Sequence, residues 1–406
     1  MGEDAVMTVN ANPNIPEEVR AVAADGTQLR YALMEMARDM DDVIALGRGD
    51  PDLDTPPHIV EAAKSAIRDG RVNPTPVKGM DELRKAIAER MRAVNGLPVA
   101  AENVMITTGG QEGLFLAIQA LIDPGDEILV PDPRYSSYDD AIRRAGGTMV
   151  SVPTNREDSF NLEAEAVEAA ITPASKALLI VTPSNPTAGI VTEDRLRAIA
   201  DVCIRHNLIV IVDEIYGKIV FPPWRHFSIG SLPGMAERTI TLDAFSKTYA
   251  MTGWRCGYAA APVDVIEAMA RVKQVTTGPV ATVSQWAGLA AITGPQDCVA
   301  DYLKIYTERR GALLDGLDRM GFAYGEPRGG LFVWADCSST GIHATELSYL
   351  LLKEGRVLIF PGTAFGDAWR EYLRITMLEP IETLKTAVAR MLPVLERYRL
   401  PPPQND

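Results

Sequence analysis

The chain has 406 residues, 47% hydrophobic and 23% charged, and its 54 acidic against 40 basic side chains give a formal net charge of −14. That surplus of negative charge disfavours nucleic acid and anionic membrane surfaces as partners, and the apolar content is that of a soluble protein of two or three domains with a large core. The scattered four cysteines and four histidines argue against a disulfide framework or a metal centre. No apolar run reaches the roughly 18 residues of a membrane helix, and Met1-Gly2-Glu3-Asp4 lacks the basic start of a secretory signal, so a cytoplasmic location is expected.

Residues Met1 to Asn14 have no periodic pattern and read as an arm, and Glu17 to Met40 as loop and helix. Asp42–Leu46 is a strand candidate that runs into Gly47–Pro56, where Gly and Pro force a loop. From His58 to Asp69 the spacing predicts an amphipathic helix with Ile59, Ala62, Ala66 and Ile67 on one face. Asn103–Thr107 reads as a strand, Thr108–Gly113 as a glycine turn, and Leu114–Ile122 as a helix with Leu114, Ile118 and Leu121 inward. A glycine turn opening a helix presents free N–H groups and the positive dipole end, which suits a phosphate, although the same pattern recurs in many α/β proteins.

Asp126–Pro131 is a further strand, followed by Tyr135 in a turn. Ala177–Thr182 is a continuous apolar run of the kind found in parallel sheets buried on both faces, and it ends at Pro183–Gly189, where Asn185 alone reads equally well as an Asn-Pro turn. Leu208–Val212 leads five apolar residues into Asp213, with Tyr216 three positions on. An acid at the carboxyl end of such a strand sits where open α/β sheets bind ligands, with a helix cap as the competing account.

Thr239–Leu242 is a short buried strand, and Lys247 follows on the turn where it ends, with Arg255 eight positions further. Around them Ser246, Gly253, Trp254 and Gly257 are poor choices for a generic exposed loop. Helical patterns follow over Pro262–Val272 and Ser284–Ile292, and a long helix begins near Asp301. Gly329–Trp334, Val357–Gly362 and Tyr372–Met377 read as strands or their flanks, and Arg374 in isolation reads as a solvated strand residue. Pro401–Pro403 reads as a frayed end.

The run Ser-Lys-Thr-Tyr-Ala-Met-Thr-Gly-Trp-Arg-Cys-Gly-Tyr at 246–258 resembles the lysine signature of the class I/II aminotransferases, the fold-type I family of pyridoxal-phosphate enzymes. The resemblance spans roughly residues 17 to 395 in the expected order. It implies an α/β fold: residues 1–57 as an arm and part of a small domain, 58–295 as a large domain with a mostly parallel mixed sheet, and 296–406 as a smaller α+β domain. It also implies a homodimer, pyridoxal 5′-phosphate as cofactor, and transfer of an amino group between an L-amino acid and a 2-oxo acid.

By the same resemblance Lys247 carries the cofactor and moves the proton, Asp213 holds the ring nitrogen protonated, and Asn185 and Tyr216 contact the phenolic oxygen. The backbone of Gly110 and Gln111, with Ser246 and Arg255, would hold the phosphate; Tyr135 would stack on the ring; Gly49, Asn185 and Arg374 would contact substrate, Arg374 gripping its α-carboxylate. Three positions depart from the pattern. Pro74 stands where many members carry a cross-subunit tyrosine, Ala244 where relatives often have a phosphate-binding serine, and neutral Gln111 where some aspartate-using relatives place a lysine, so acidic substrates are less favoured unless Arg48 supplies the charge. The alternatives are a lyase, decarboxylase or oxidase on the same scaffold, or a non-catalytic regulator, which the acidic chain disfavours.

Overall fold

The structure, a computed structural model, describes residues 26–399; the readings at residues 1–25 and 401–403 lie outside these. The described residues fall into two compact units. The larger comprises 49–307 and 325–332, and the smaller comprises the described residues up to Arg48 with 308–324 and the segment from Val333 onward. These limits lie at 48 and 307, where the sequence reading put them at 57 and 295. Residues 325–332 join the larger unit through the Arg328 and Gly329 amides on the Ala188 carbonyl and an antiparallel bridge between Val220 and Gly329.

The larger unit is built on a seven-stranded sheet in the order Val104–Thr107, Gly257–Ala260, Thr239–Ala244, Ile209–Asp213, Ser175–Val181, Glu127–Asp132, Thr148–Pro153. The last five run parallel to one another, and Gly257–Ala260 runs antiparallel to both its neighbours. Val104–Thr107 therefore points the same way as the parallel strands. This is the expected α/β fold with a mostly parallel mixed sheet.

The continuous apolar runs Leu178–Ile180 and Val210–Val212 are fully buried, because helices cover both faces. One core layer joins Leu114, Ile118, Leu179, Ile211 and Leu242, and a second, on the opposite face, joins Leu178, Ile180, Val210, Val212, Leu196 and Ile199. Helix Pro57–Arg68 buries Ile59, Ala63 and Ala66, while Ile67, expected inward, is 59% exposed. The steps of four and three from Ile59 keep Ala63 and Ala66 within about 40° of it, whereas Ile67 turns about 80° away, at the solvent edge of the stripe. The helix after the glycine turn starts at Gly110, so Gly110 and Gln111 are its first residues rather than part of the turn.

In the smaller unit, strands Phe360–Pro361, Tyr372–Thr376, Phe332–Asp336 (which belongs to this unit from Val333 on) and Ala323–Tyr324 form one sheet in that order, and Ile44–Ala45 pairs in parallel with Val357–Leu358. The run 357–362 is thus split between two sheets at Ile359. Helices Ala344–Lys353 and Ile381–Tyr398 bury Leu347, Leu351, Leu384 and Met391. No described helix is long and apolar enough to cross a membrane.

Candidate active site

The strand ends decide what the larger unit can do. Six strands point the same way, so Thr107, Asp132, Val181, Asp213 and Ala244 bring their following loops to one edge, where open α/β sheets collect ligands. Asp213 pairs in register with Leu242, so Asp213 and the Phe245–Thr248 turn that carries Lys247 leave adjacent strands.

Lys247 is only 11% exposed, and its Nζ donates to the Gly49 carbonyl at 2.7 Å and to Asp50 Oδ1 at 3.1 Å. The glycine-proline loop thus meets the lysine through a carbonyl and a carboxylate. Gly49 was expected to approach substrate through its backbone; the structure puts that backbone on the lysine amine, and Asp50 joins it unforeseen.

Asp213 accepts the Ile215 amide on Oδ1 at 3.1 Å. Burial, reinforced by the neighbouring carboxyls of Asp243 and Glu214, pushes its pKa up to about 7. No lysine, arginine or histidine among the described residues forms an ion pair with it. Tyr138, 2% exposed, lies against Asp213, and burial followed by the Asp213 and Tyr135 neighbours raises its phenol well above the ordinary range. Tyr216 contributes to the same shift, so Tyr135, Tyr138, Tyr216 and Asp213 share one neighbourhood. Tyr135 meets Tyr138 edge to face at 5.7 Å, and Tyr216, 4% exposed, meets Phe332 edge to face at 6.2 Å. Asn185 is buried at 9% in the Pro183–Gly189 loop. Tyr138 escaped the sequence reading because its aromatic side chain, three after Tyr135, looks like ordinary core.

At the glycine turn, Arg255 Nη2 donates to the Thr108 carbonyl at 3.2 Å and Nη1 to the Thr252 carbonyl at 3.3 Å. Gly109 has φ +78°, and a Cβ there would stand 2.8 Å from Arg255 Nη2. Gly257 is equally constrained, since a Cβ would meet the Gly109 backbone carbon at 2.8 Å. The two glycines therefore let the guanidinium lie beside the amino end of helix Gly110–Leu121. Ser246 is 4% exposed, and Gln111 is exposed on the first turn of that helix. One residue before Ala244, Asp243 accepts the Tyr258 hydroxyl at 2.8 Å, and burial pushes its carboxyl up to about 6.

Arg374 lies in the smaller unit. It is 4% exposed, not a solvated strand residue; its Nη2 donates to the Gly47 carbonyl at 2.8 Å, and its guanidinium carbon sits 4.7 Å from the Phe365 ring centre. Arg48 is exposed.

A family model for class I and II aminotransferases matches residues 41–391. The chain belongs to this family. The aminotransferase is 37% identical to aromatic-amino-acid aminotransferase 2 of Thermococcus litoralis over 91% of this chain and 95% of that one. Among solved structures it is similar to an aromatic aminotransferase from Pyrococcus horikoshii, with a TM-score of 0.86, 39% identity and coverage of 90% and 98% of the two chains. It is also similar to the aspartate aminotransferase of Thermus thermophilus with maleate, with a TM-score of 0.86, 37% identity and coverage of 94% and 99%. It is an enzyme that moves an amino group between an amino acid and a 2-oxo acid, and the family is pyridoxal-phosphate dependent. The lyase, decarboxylase and oxidase alternatives find no support among these relatives.

Proposed function

We propose that this aminotransferase binds pyridoxal 5′-phosphate in its larger unit, on Lys247, and works as a cytoplasmic homodimer on amino acids with uncharged side chains. The observation that carries the reading is the pair of adjacent strand ends: a nearly buried amine on one, and on the other a buried carboxyl near pKa 7 without a cationic partner among the described residues. A carboxyl so placed suits the ring nitrogen of the cofactor, whose protonated form would supply the missing positive charge. Arg255 beside a helix amino end suits a phosphate dianion. The cofactor, when bound, supplies an electron sink for the carbanion formed at the substrate's α-carbon.

The residues then divide the work. Asp213 keeps a proton on the ring nitrogen, and Asn185 and Tyr216 orient the phenolic oxygen. Arg255, Ser246 and the Gly110 and Gln111 amides hold the phosphate, while Tyr135 covers the ring. Lys247, once substrate has displaced it, would take the proton from the substrate's α-carbon as a general base. In the cofactor-free protein the Gly49 carbonyl and Asp50 hold that amine. Arg374 binds the α-carboxylate, and its burial supports a strong charge-assisted pair. Arg374→Ala is expected to raise KM for the amino acid about a hundredfold with little change in cofactor affinity; steady-state kinetics showing an unchanged KM removes Arg374 from this role.

Gln111 offers no charge to a second carboxylate. Relatives named for aspartate and for aromatic amino acids both exist at similar identity, so this position is what favours neutral substrates here.

One experiment tests the whole reading. Protein purified with cofactor, sized by sedimentation as a dimer, is expected to show a visible absorption band that bleaches with amino acid and returns with 2-oxo acid. No band defeats the Lys247 assignment; a monomer defeats the dimer; aspartate outperforming phenylalanine and leucine defeats the Gln111 argument.

A further inference from the structure

Behind the glycine turn lies a buried ion pair that the chemistry above does not use. Lys273, in helix Val263–Thr276, is 0% exposed, and its Nζ donates to Glu112 Oε2 at 2.6 Å and to the Thr277 hydroxyl at 3.2 Å. Glu112 is the third residue of helix Gly110–Leu121, and its Oε2 also accepts the Thr108 amide at 2.5 Å, while Oε1 accepts the Thr277 hydroxyl. Burial would raise its pKa, but the hydrogen bonds from Lys273, Thr277 and Thr108 bring it below the usual carboxylate range. The Thr108 peptide is thus held at both ends, its N–H by Glu112 and its C=O by Arg255.

An acid in the first turn normally stabilises a helix. At a helix end meant for an anion the same charge opposes the ligand, because two negative groups then share one dipole. Lys273 resolves the conflict. It cancels the Glu112 charge at contact distance, inside the protein where screening is weak, and leaves the carboxylate free to brace the turn.

We propose that Lys273 and Glu112 are positioning residues that set the charge and the geometry of the phosphate cradle, acting through the Thr108 peptide and Arg255. The proposal rests on the cofactor reading above. It makes a specific demand: the pair matters to the phosphate group and not to the rest of the cofactor.

The test measures affinity of the cofactor-free protein, by absorption and fluorescence titration, for pyridoxal 5′-phosphate and for pyridoxal, which lacks the phosphate. Lys273→Met leaves Glu112 uncompensated and is expected to weaken pyridoxal 5′-phosphate binding by at least about tenfold while pyridoxal changes less than about twofold. The double variant Glu112→Gln with Lys273→Met removes both charges and is expected to recover most of that loss. An equal loss for both compounds, no loss, or a double variant as weak as Lys273→Met overturns the proposal. Should Lys273→Met not fold, Glu112→Gln carries the test: it leaves Lys273 positive behind the cradle and is expected to tighten pyridoxal 5′-phosphate binding by at least about threefold while pyridoxal is unchanged, and the absence of a phosphate-selective gain overturns the proposal. Wild-type protein that binds neither compound defeats the cofactor assignment itself, a result distinct from wild-type binding that Lys273→Met leaves intact.

Discussion

Lys247→Ala is expected to lower kcat/KM for transamination by at least about 10³-fold, the loss typical of removing a positioned acid–base group. On the proposed reading the variant loses the covalent anchor and the proton carrier together, so the visible band should shift or vanish even where cofactor stays bound through its phosphate. Asp50, which now pairs with the amine at 3.1 Å, cannot substitute, because a carboxylate cannot attack the cofactor's aldehyde to hold it as an amine does. Added methylamine should restore part of the rate by supplying a diffusible amine. A Lys247→Ala enzyme turning over within tenfold of the parent would remove the lysine from the chemistry.

Asp213→Asn is expected to cost about 10²- to 10³-fold in kcat, the scale seen when one preorganised electrostatic group is lost. The neutral amide cannot hold a positive ring nitrogen, so the electron sink weakens while phosphate contacts persist; KM for the amino acid should change far less than kcat. A second readout comes from stability. In the cofactor-free protein burial raises Asp213 from 3.8 to about 7, so the folded state keeps a proton that the unfolded chain has released. The unfolded state binds fewer protons across that interval, and stability falls as pH rises from near 4 to 7. Relative to the parent, Asp213→Asn should therefore gain thermal stability as pH rises through that window, with the full gain above pH 7 and none below pH 4. Unfolding temperatures of the two cofactor-free proteins that track each other from pH 4 to 8 would contradict a buried, proton-retaining Asp213.

The main sheet was readable where strands are buried on both faces. Leu208–Val212 and Ala177–Val181 had to be apolar throughout, and the break in that run at Asp213 is visible without coordinates. Other elements carried no such mark. Thr148–Pro153 is an edge strand whose side chains are mostly exposed or half-buried, so it shows no apolar run. Gly257–Ala260 has only four small or aromatic residues, yet it enters the sheet antiparallel between two same-direction strands. Ile67 was misplaced because a small shift of angle around a helix exchanges core for solvent, and pattern alone tolerates either.

The site divides along the same line. Lys247, Asp213, Asn185, Tyr216, Arg255 and Arg374 stand in local runs whose residue types and spacing are set by the chain itself, so the sequence alone determined the enzyme's family, its fold class and which side chains to examine. Tertiary structure decided the partnerships: Asp50 with Lys247 across 197 positions, Lys273 with Glu112 across 161, and Tyr138 against Asp213. A linear sequence holds no record of which distant side chains will meet. Those meetings follow from the sheet order and the packing of helices on it, and burial then assigns each charge its strength.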